Sequence, residues 1–154
     1  MFSGPRFLAP KDMTKNMAKD IIHDAVTNAL IKDNWVITHD PFRVEYEELE
    51  IFADLAVEKS HTMIAKKNGE KIIIEIKTFA GRSFIKELQQ ALGQYELYFD
   101  LLELTGLDYE LYMAISEFVY KDFFLQKGTQ MIVQRHKIKL LVVNIEREEI
   151  VKWI

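Results

Sequence analysis

The sequence predicts an α/β sandwich built on a mixed central sheet, and three observations carry that prediction. Ile22, Val26, Ala29 and Leu30 form an apolar stripe at helical spacing near the start of the chain. Ile72, Ile73, Ile74 and Ile76 make a near-continuous apolar run, as expected of a central strand covered on both faces. A second long amphipathic helix follows that run, and strands and helices then alternate to the C-terminus.

The elements are read in order. Residues 1–16, with Pro5 and Pro10, read as an extension, and residues 17–154 as one domain. The first helix runs from about Ala18 to Asp33, with Asp24, Thr27 and Asn28 facing away from its apolar stripe. Trp35–His39 is a short strand closed by Asp40-Pro41, a turn signal. An acidic stretch containing Glu45, Glu47, Glu48 and Glu50 follows. Ile51–Val57 and Thr62–Lys66 are one bent strand or two. Asn68-Gly69 then marks a tight hairpin, because both residues tolerate positive φ.

Lys71 to Phe79 is the returning strand, closed by Gly81-Arg82-Ser83. Ser83 is placed as the N-cap of a helix reaching about Leu104, with Phe84, Leu88, Leu92, Tyr95, Phe99 and Leu102 as its core stripe. Asp108–Ile115 reads as a strand and Phe118–Arg135 as a helix interrupted near Gly128. Ile138–Asn144 and Glu149–Ile154 form a terminal hairpin.

Composition limits the function classes. The 154 residues include 20 basic and 24 acidic side chains, a net charge of −4, which argues against tight, sequence-independent binding of DNA or RNA. Cysteine is absent, which removes disulfides, thiolate nucleophiles, Fe–S clusters and cysteine-based zinc sites. A reducing cytoplasm fits this composition and is the expected location. The first residues lack the apolar core of a signal peptide, and no run of about 18 apolar residues exists, so no membrane span or membrane partner is expected. There is no HExxH, P-loop, GxGxxG or GxSxG pattern.

The chemistry concentrates in Lys71-Ile-Ile-Ile-Glu75-Ile-Lys77. At the strand period of two, Ile73, Glu75 and Lys77 share one side and Ile72, Ile74 and Ile76 the other. A carboxylate and an amine therefore stand side by side where burial penalises charge, unless they are paired or bind a metal. A plain Glu–Lys pair emerging into solvent at the strand end explains the same pattern. Asp54, in the apolar segment Ile51–Val57, is a second acid that could converge with Glu75 on one hard cation. Alone, Asp54 is equally a strand-start residue bonded to nearby backbone.

Together, Asp54 and Glu75-x-Lys77 resemble the signature of the PD-(D/E)xK, or restriction-endonuclease-like, superfamily, with Ala53 where that pattern often has Pro. The resemblance implies a three-layer sandwich, a central mixed β-sheet flanked by helices. It also implies Asp54, Glu75 and Lys77 as catalytic residues, and Asp54 and Glu75 as ligands of Mg²⁺ or Mn²⁺. Gln94 and Tyr98, spaced i,i+4 beside the predicted core stripe, resemble the Q-x-x-x-Y helix of RecB-like members. In that role they would support the metal site or substrate; otherwise they form a half-buried helix shoulder. His23 stands near where superfamily members often carry an acid, and otherwise reads as an ordinary satisfied or exposed histidine. Arg82 and Ser83 open the helix after the catalytic strand, where backbone N–H groups could receive a phosphate. The basic cluster Gln134-Arg135-His136-Lys137-x-Lys139 reads as a solvated helix end or a DNA contact.

From Met17 onwards the chain resembles XisH, the fdxN-element excision controlling factors of cyanobacteria. The resemblance rests on Met17-Ala-Lys-Asp20, Ala29-Leu-Ile-Lys-Asp33 and Ile37-Thr-His-Asp-Pro41, then on Asp54-Leu55, Ile74-Glu-Ile-Lys77, Ala91-Leu-Gly-Gln94, Val133-Gln-Arg-His136 and Leu140-Leu-Val142. It implies a role in excising a DNA element by a site-specific recombinase complex, together with a small partner, XisI.

Two functions follow as expectations. One is an Mg²⁺-dependent DNA phosphodiesterase with weak or partner-assisted DNA contact. The other is a catalytically silent regulatory subunit working with XisI and the recombinase. A homodimer exposing Phe118, Tyr120, Phe123 and Phe124 is a further arrangement, although such aromatics are more often core.

Overall fold

The computed structural model describes the backbone of residues 10–42, 45–46, 49–50 and 61–154, and the side chains of residues 19–42 and 62–154. Helix α1 (Pro10–Lys32) starts earlier than the expected Ala18. Proline at a first helical position loses no hydrogen bond, since its missing N–H would have had no partner inside the helix. Pro10, read in the sequence as part of a loose extension, is that first residue.

Six strands form the main sheet: β1 (Val36–His39), β4 (His61–Lys67), β5 (Glu70–Ile76), β6 (Glu110–Ser116), β7 (Leu140–Asn144) and β8 (Glu149–Trp153), in the order β1-β4-β5-β6-β7-β8. The central strands β5, β6 and β7 run parallel, and the flanking pairs are antiparallel. β2 (Glu45–Tyr46) and β3 (Leu49–Glu50) make a separate two-stranded ribbon. Between β4 and β5, Asn68 and Gly69 both take positive φ, 49° and 82°, which a two-residue hairpin of right-handed twist requires. That turn fixes the register, pairing Lys67 with Glu70 and Thr62 with Glu75.

Helices cover both faces, giving a three-layer sandwich with a mixed sheet. Ile72, Ile74 and Ile76 pack with Met63, Leu141 and Val143 beneath Ile22, Val26, Ala29 and Leu30 of α1. Ile73, Met113, Ile115 and Val142 face the second helix, α2 (Phe84–Thr105). As expected, Ser83 caps α2, its side chain accepting from Lys86 N, and Gly106 closes it at φ 70°.

The core stripe of α2 departs from expectation. Phe99 is about half exposed, whereas Gln94 and Tyr98 are buried together with Leu88, Ala91, Tyr95, Leu101 and Leu102. The Gln94–Tyr98 strip faces the sheet, where Tyr98 meets the Thr62 hydroxyl. The expected interruption near Gly128 falls at Leu125–Gln126. A short helix α3 (Glu117–Val119) widens into a π-helical turn over Tyr120–Phe124, and α4 (Lys127–Arg135) restarts after extended backbone at Gln126. Gly128 lies inside the first turn of α4. The basic cluster after it is a helix end with local partners: His136 Nδ1 lies 2.6 Å from Glu96 Oε1, and Lys139 Nζ 3.5 Å from Glu110 Oε1. No helix among the described residues is long and apolar enough to cross a membrane.

Candidate functional site

Glu75 is carried by β5 into the layer between sheet and α2. Its cross-strand neighbour on β4 is Thr62 and its parallel neighbour on β6 is Met113. Its side chain has no solvent contact, and the Lys77 ammonium stands 3.5 Å from Oε1 with 15% of its side chain exposed. That is an ion pair outside hydrogen-bond geometry. Both Glu75 carboxylate oxygens are therefore buried without a hydrogen-bond donor among the described residues. Burial pushes the Glu75 carboxyl up from 4.5 to about 6, and the lysine charge holds it from rising further. Lys77 itself is fixed at its backbone, where its N–H donates to Ala114 O at 2.9 Å and extends the β5–β6 pairing.

Helix α2 closes this layer. Tyr98, 1% exposed, meets the Thr62 hydroxyl at 3.2 Å, directly across the sheet register from Glu75. One turn earlier, Gln94 is 8% exposed, and its side-chain oxygen lacks a donor among the described residues. Tyr95 donates to Leu111 O at 2.9 Å and accepts from Lys139 N at 3.2 Å, tying α2 to β6 and β7. Burial raises the Tyr95 phenol, and the negative charge of Glu75 raises it further.

The loop after Lys77 is anchored at two points. Phe79 takes a φ of 50°, uncommon for a bulky residue, and is buried against Phe84 and Phe124 at ring separations of 5.4 Å. Gly81 N–H donates to Glu87 Oε1 at 3.0 Å, and a Cβ at Gly81 would stand 2.8 Å from that oxygen. A side chain at this position would displace the Glu87 carboxylate and weaken that bond. The two anchors set the direction in which the chain leaves Lys77.

Of the residues expected at the site, Glu75, Lys77, Gln94 and Tyr98 lie in the layer between the sheet and α2. Arg82 is exposed in the loop leading into that helix. His23 rides on α1, which covers the opposite face, and its Nε2 hydrogen-bonds Asp40 Oδ2 at 2.7 Å. Asp54 lies outside the described residues. Thr62 and Tyr95 were not expected as parts of the site, whereas Glu87 stands one to two turns before Gln94 on the same helix, as its spacing implies. The signal for Thr62 was present, because counting back from the Asn68-Gly69 turn pairs it with Glu75.

The donor chemistry fits a hard divalent cation. The two unpartnered Glu75 oxygens and the unpartnered Gln94 oxygen are the ligand type such ions take. Among the described residues, no three His, Cys, Asp or Glu side chains converge to hold a metal. A complete shell therefore needs ligands beyond Glu75 and Gln94.

Comparison with known proteins agrees with this architecture. The family described as XisH protein matches residues 16–151. The crystal structure of an XisH family protein from Nostoc punctiforme PCC 73102 superposes with a TM-score of 0.77 at 33% identity, covering 88% of this chain and 99% of that one. The crystal structure of an fdxN element excision controlling factor protein from Anabaena variabilis superposes with a TM-score of 0.78 at 34% identity, covering 88% and 98%. No curated protein gives a significant match. With the match spanning almost the whole sandwich, the chain belongs to the XisH family.

Proposed function

We propose that the protein is a controlling factor for excision of a DNA element, with a PD-(D/E)xK nuclease-like site that hydrolyses phosphodiesters. The observation that carries this reading is the Glu75 carboxylate, buried beside Lys77 with both oxygens lacking a donor. Glu75, with Asp54, would hold Mg²⁺ or Mn²⁺, and Gln94 and Tyr98 would support that shell. When bound, such a cation polarises the scissile phosphate and lowers the pKa of a coordinated water. Lys77 would orient the attacking water and stabilise charge developing on the phosphate. Tyr98, held against Thr62, would fix α2 over the site. Arg82 would contact the DNA backbone from the loop. His23, paired with Asp40, would act only through α1.

A second reading has its own support. Glu75 has no solvent contact, whereas a working site must admit water and phosphate. A regulatory subunit that keeps the fold, binds an XisI-type partner and leaves the chemistry to a recombinase needs no such access. Both readings place the protein in a DNA-rearrangement complex, with DNA contacted weakly or through partners and a homodimer as one arrangement.

An Mg²⁺- and Mn²⁺-dependent nuclease assay on plasmid and oligonucleotide DNA, with and without an XisI-type partner, separates them. Cleavage lost in Glu75→Ala and Lys77→Ala, with the fold retained, supports the enzyme. Excision that is indifferent to Glu75→Ala but lost when partner binding is lost supports the regulatory subunit.

A further inference from the structure

The end of β5 remote from Glu75 carries a separate pocket of about 280 Å³ at the β4–β5 hairpin. Its floor is Ile72, which faces α1, so it opens on the other face of the sheet from the candidate site. Its aromatic walls are Trp35, Tyr112 and Trp153. The indoles lie 5.8 Å apart by ring centroid, and Tyr112 meets Trp153 edge-on at 5.0 Å. Asp33, Lys67 and Glu70 stand around the rings.

The pocket already holds one cation of the protein's own. Lys67 Nζ lies 5.8 Å over the Trp35 ring and 3.3 Å from Asp33 Oδ2, while Trp35 Nε1 donates to the same oxygen at 3.2 Å. Beside the pocket, Lys139 lies over Tyr112 at 5.7 Å and pairs with Glu110. Two of the nearby carboxylates thus have lysine partners. The Glu70 side chain makes no ion pair or hydrogen bond among the described residues, and burial raises the Tyr112 phenol, with the charges of Glu110 and Glu70 raising it further.

We propose that this pocket is a docking site for one basic side chain, an arginine guanidinium, presented by a protein partner. Aromatic faces attract cations through their quadrupole, and a planar guanidinium also stacks on indole. The volume suits a single side chain. Glu70 supplies the remaining counter-charge, and a phosphate-bearing ligand would be repelled by it. The proposal does not depend on the nuclease reading, since it uses neither the same face nor the same residues.

The protein contains two tryptophans, Trp35 and Trp153, and both line the pocket, so intrinsic fluorescence reports on it directly. Titration with N-acetylarginine amide is expected to change that fluorescence saturably, with a Kd of about 1 mM. Its neutral isostere, N-acetylcitrulline amide, is expected to bind at least about tenfold more weakly. Glu70→Gln, a surface change that spares the fold, should weaken the arginine probe by about fivefold. Lys67→Met, which removes the resident cation, should tighten it by a similar factor. Equal binding of the citrulline probe, or no saturable response to either, overturns the proposal. Tighter binding of free arginine overturns the protein partner in favour of an amino-acid site, and tighter binding of AMP overturns it in favour of a nucleotide site.

Discussion

The two faces of the sheet are built to different specifications. Under α1, Ile72, Ile74, Ile76, Met63, Ala65, Ala114, Leu141 and Val143 make an unbroken apolar floor. Under α2, β4 and β5 present Thr62 and Glu75, and the helix answers with Gln94, Tyr95 and Tyr98. The α1 face maximises apolar burial. The α2 face gives up part of that stabilisation to hold a carboxylate, an amide and two phenols away from water. Burying a carboxylate whose oxygens lack hydrogen-bond donors costs stability that the apolar α1 face does not give up.

The contrast is broken most severely on the apolar side. Ile74→Ala should cost about 2–5 kcal/mol by urea denaturation, because the void cannot collapse under α1. Glu75→Gln, nearly the same shape as the native side chain, leaves the charge on Lys77, whose side chain keeps some solvent contact, and should cost less at neutral pH while abolishing any metal-dependent cleavage. If the two variants prove equally destabilised, the two faces do not differ in the way described.

Lys77→Met should come next. Removing one partner of a buried pair leaves the other charge uncompensated, with an expected loss of about 3 kcal/mol at pH 8. That loss should be recovered in acid as Glu75 protonates. Carboxyl-carbon NMR should place the Glu75 pKa in this variant above the wild-type value of about 6.

The wild type carries a smaller effect of the same origin. A carboxyl raised from 4.5 to about 6 binds its proton more tightly in the folded state. Its contribution to stability is present below pH 4.5 and is lost as pH rises through about 6, a difference of about 2 kcal/mol. Denaturation midpoints in metal-free buffer should show this decline, and Glu75→Gln should lack it. The smallest change is Tyr98→Phe, which removes the hydrogen bond with Thr62 and should cost about 1 kcal/mol, read as a modest drop in Tm.

Much of this was legible in the sequence wherever a single local rule decided the outcome. The isoleucine run, the Asn68-Gly69 turn, the Ser83 cap and the Ile22–Leu30 stripe each follow from local chemistry. The placement of Glu75 and Lys77 on one side of β5 follows from the period of the strand. What escaped depends on partners remote in the chain. Hydrophobicity ranks Phe99 above Gln94 for the core, but Tyr95 and Tyr98 find polar partners in Leu111 O and Thr62 on the sheet, and Gln94 is carried inward on the same strip. Pro10 reads as a breaker until it is seen to occupy a first helical position, where it breaks nothing. The π-helical turn at Tyr120–Phe124 has no marker that sequence period could reveal.

The Asn68-Gly69 turn also sets an order of assembly. It brings Thr62 opposite Glu75 through a two-residue connection, the kind of closure a chain makes within microseconds. Tyr98 must reach Thr62 across 36 positions, and β6 can pair beside β5 only after the whole α2 crossover has been threaded. During synthesis the Thr62–Glu75 pair therefore forms on a solvated hairpin, with the carboxylate hydrated and at its ordinary acidity. The carboxylate is desolvated, and its proton affinity raised, only when α2 docks over it. The ionisation of Glu75 is thus a reporter of α2 docking, one that rapid-mixing experiments on either side of pH 6 could follow.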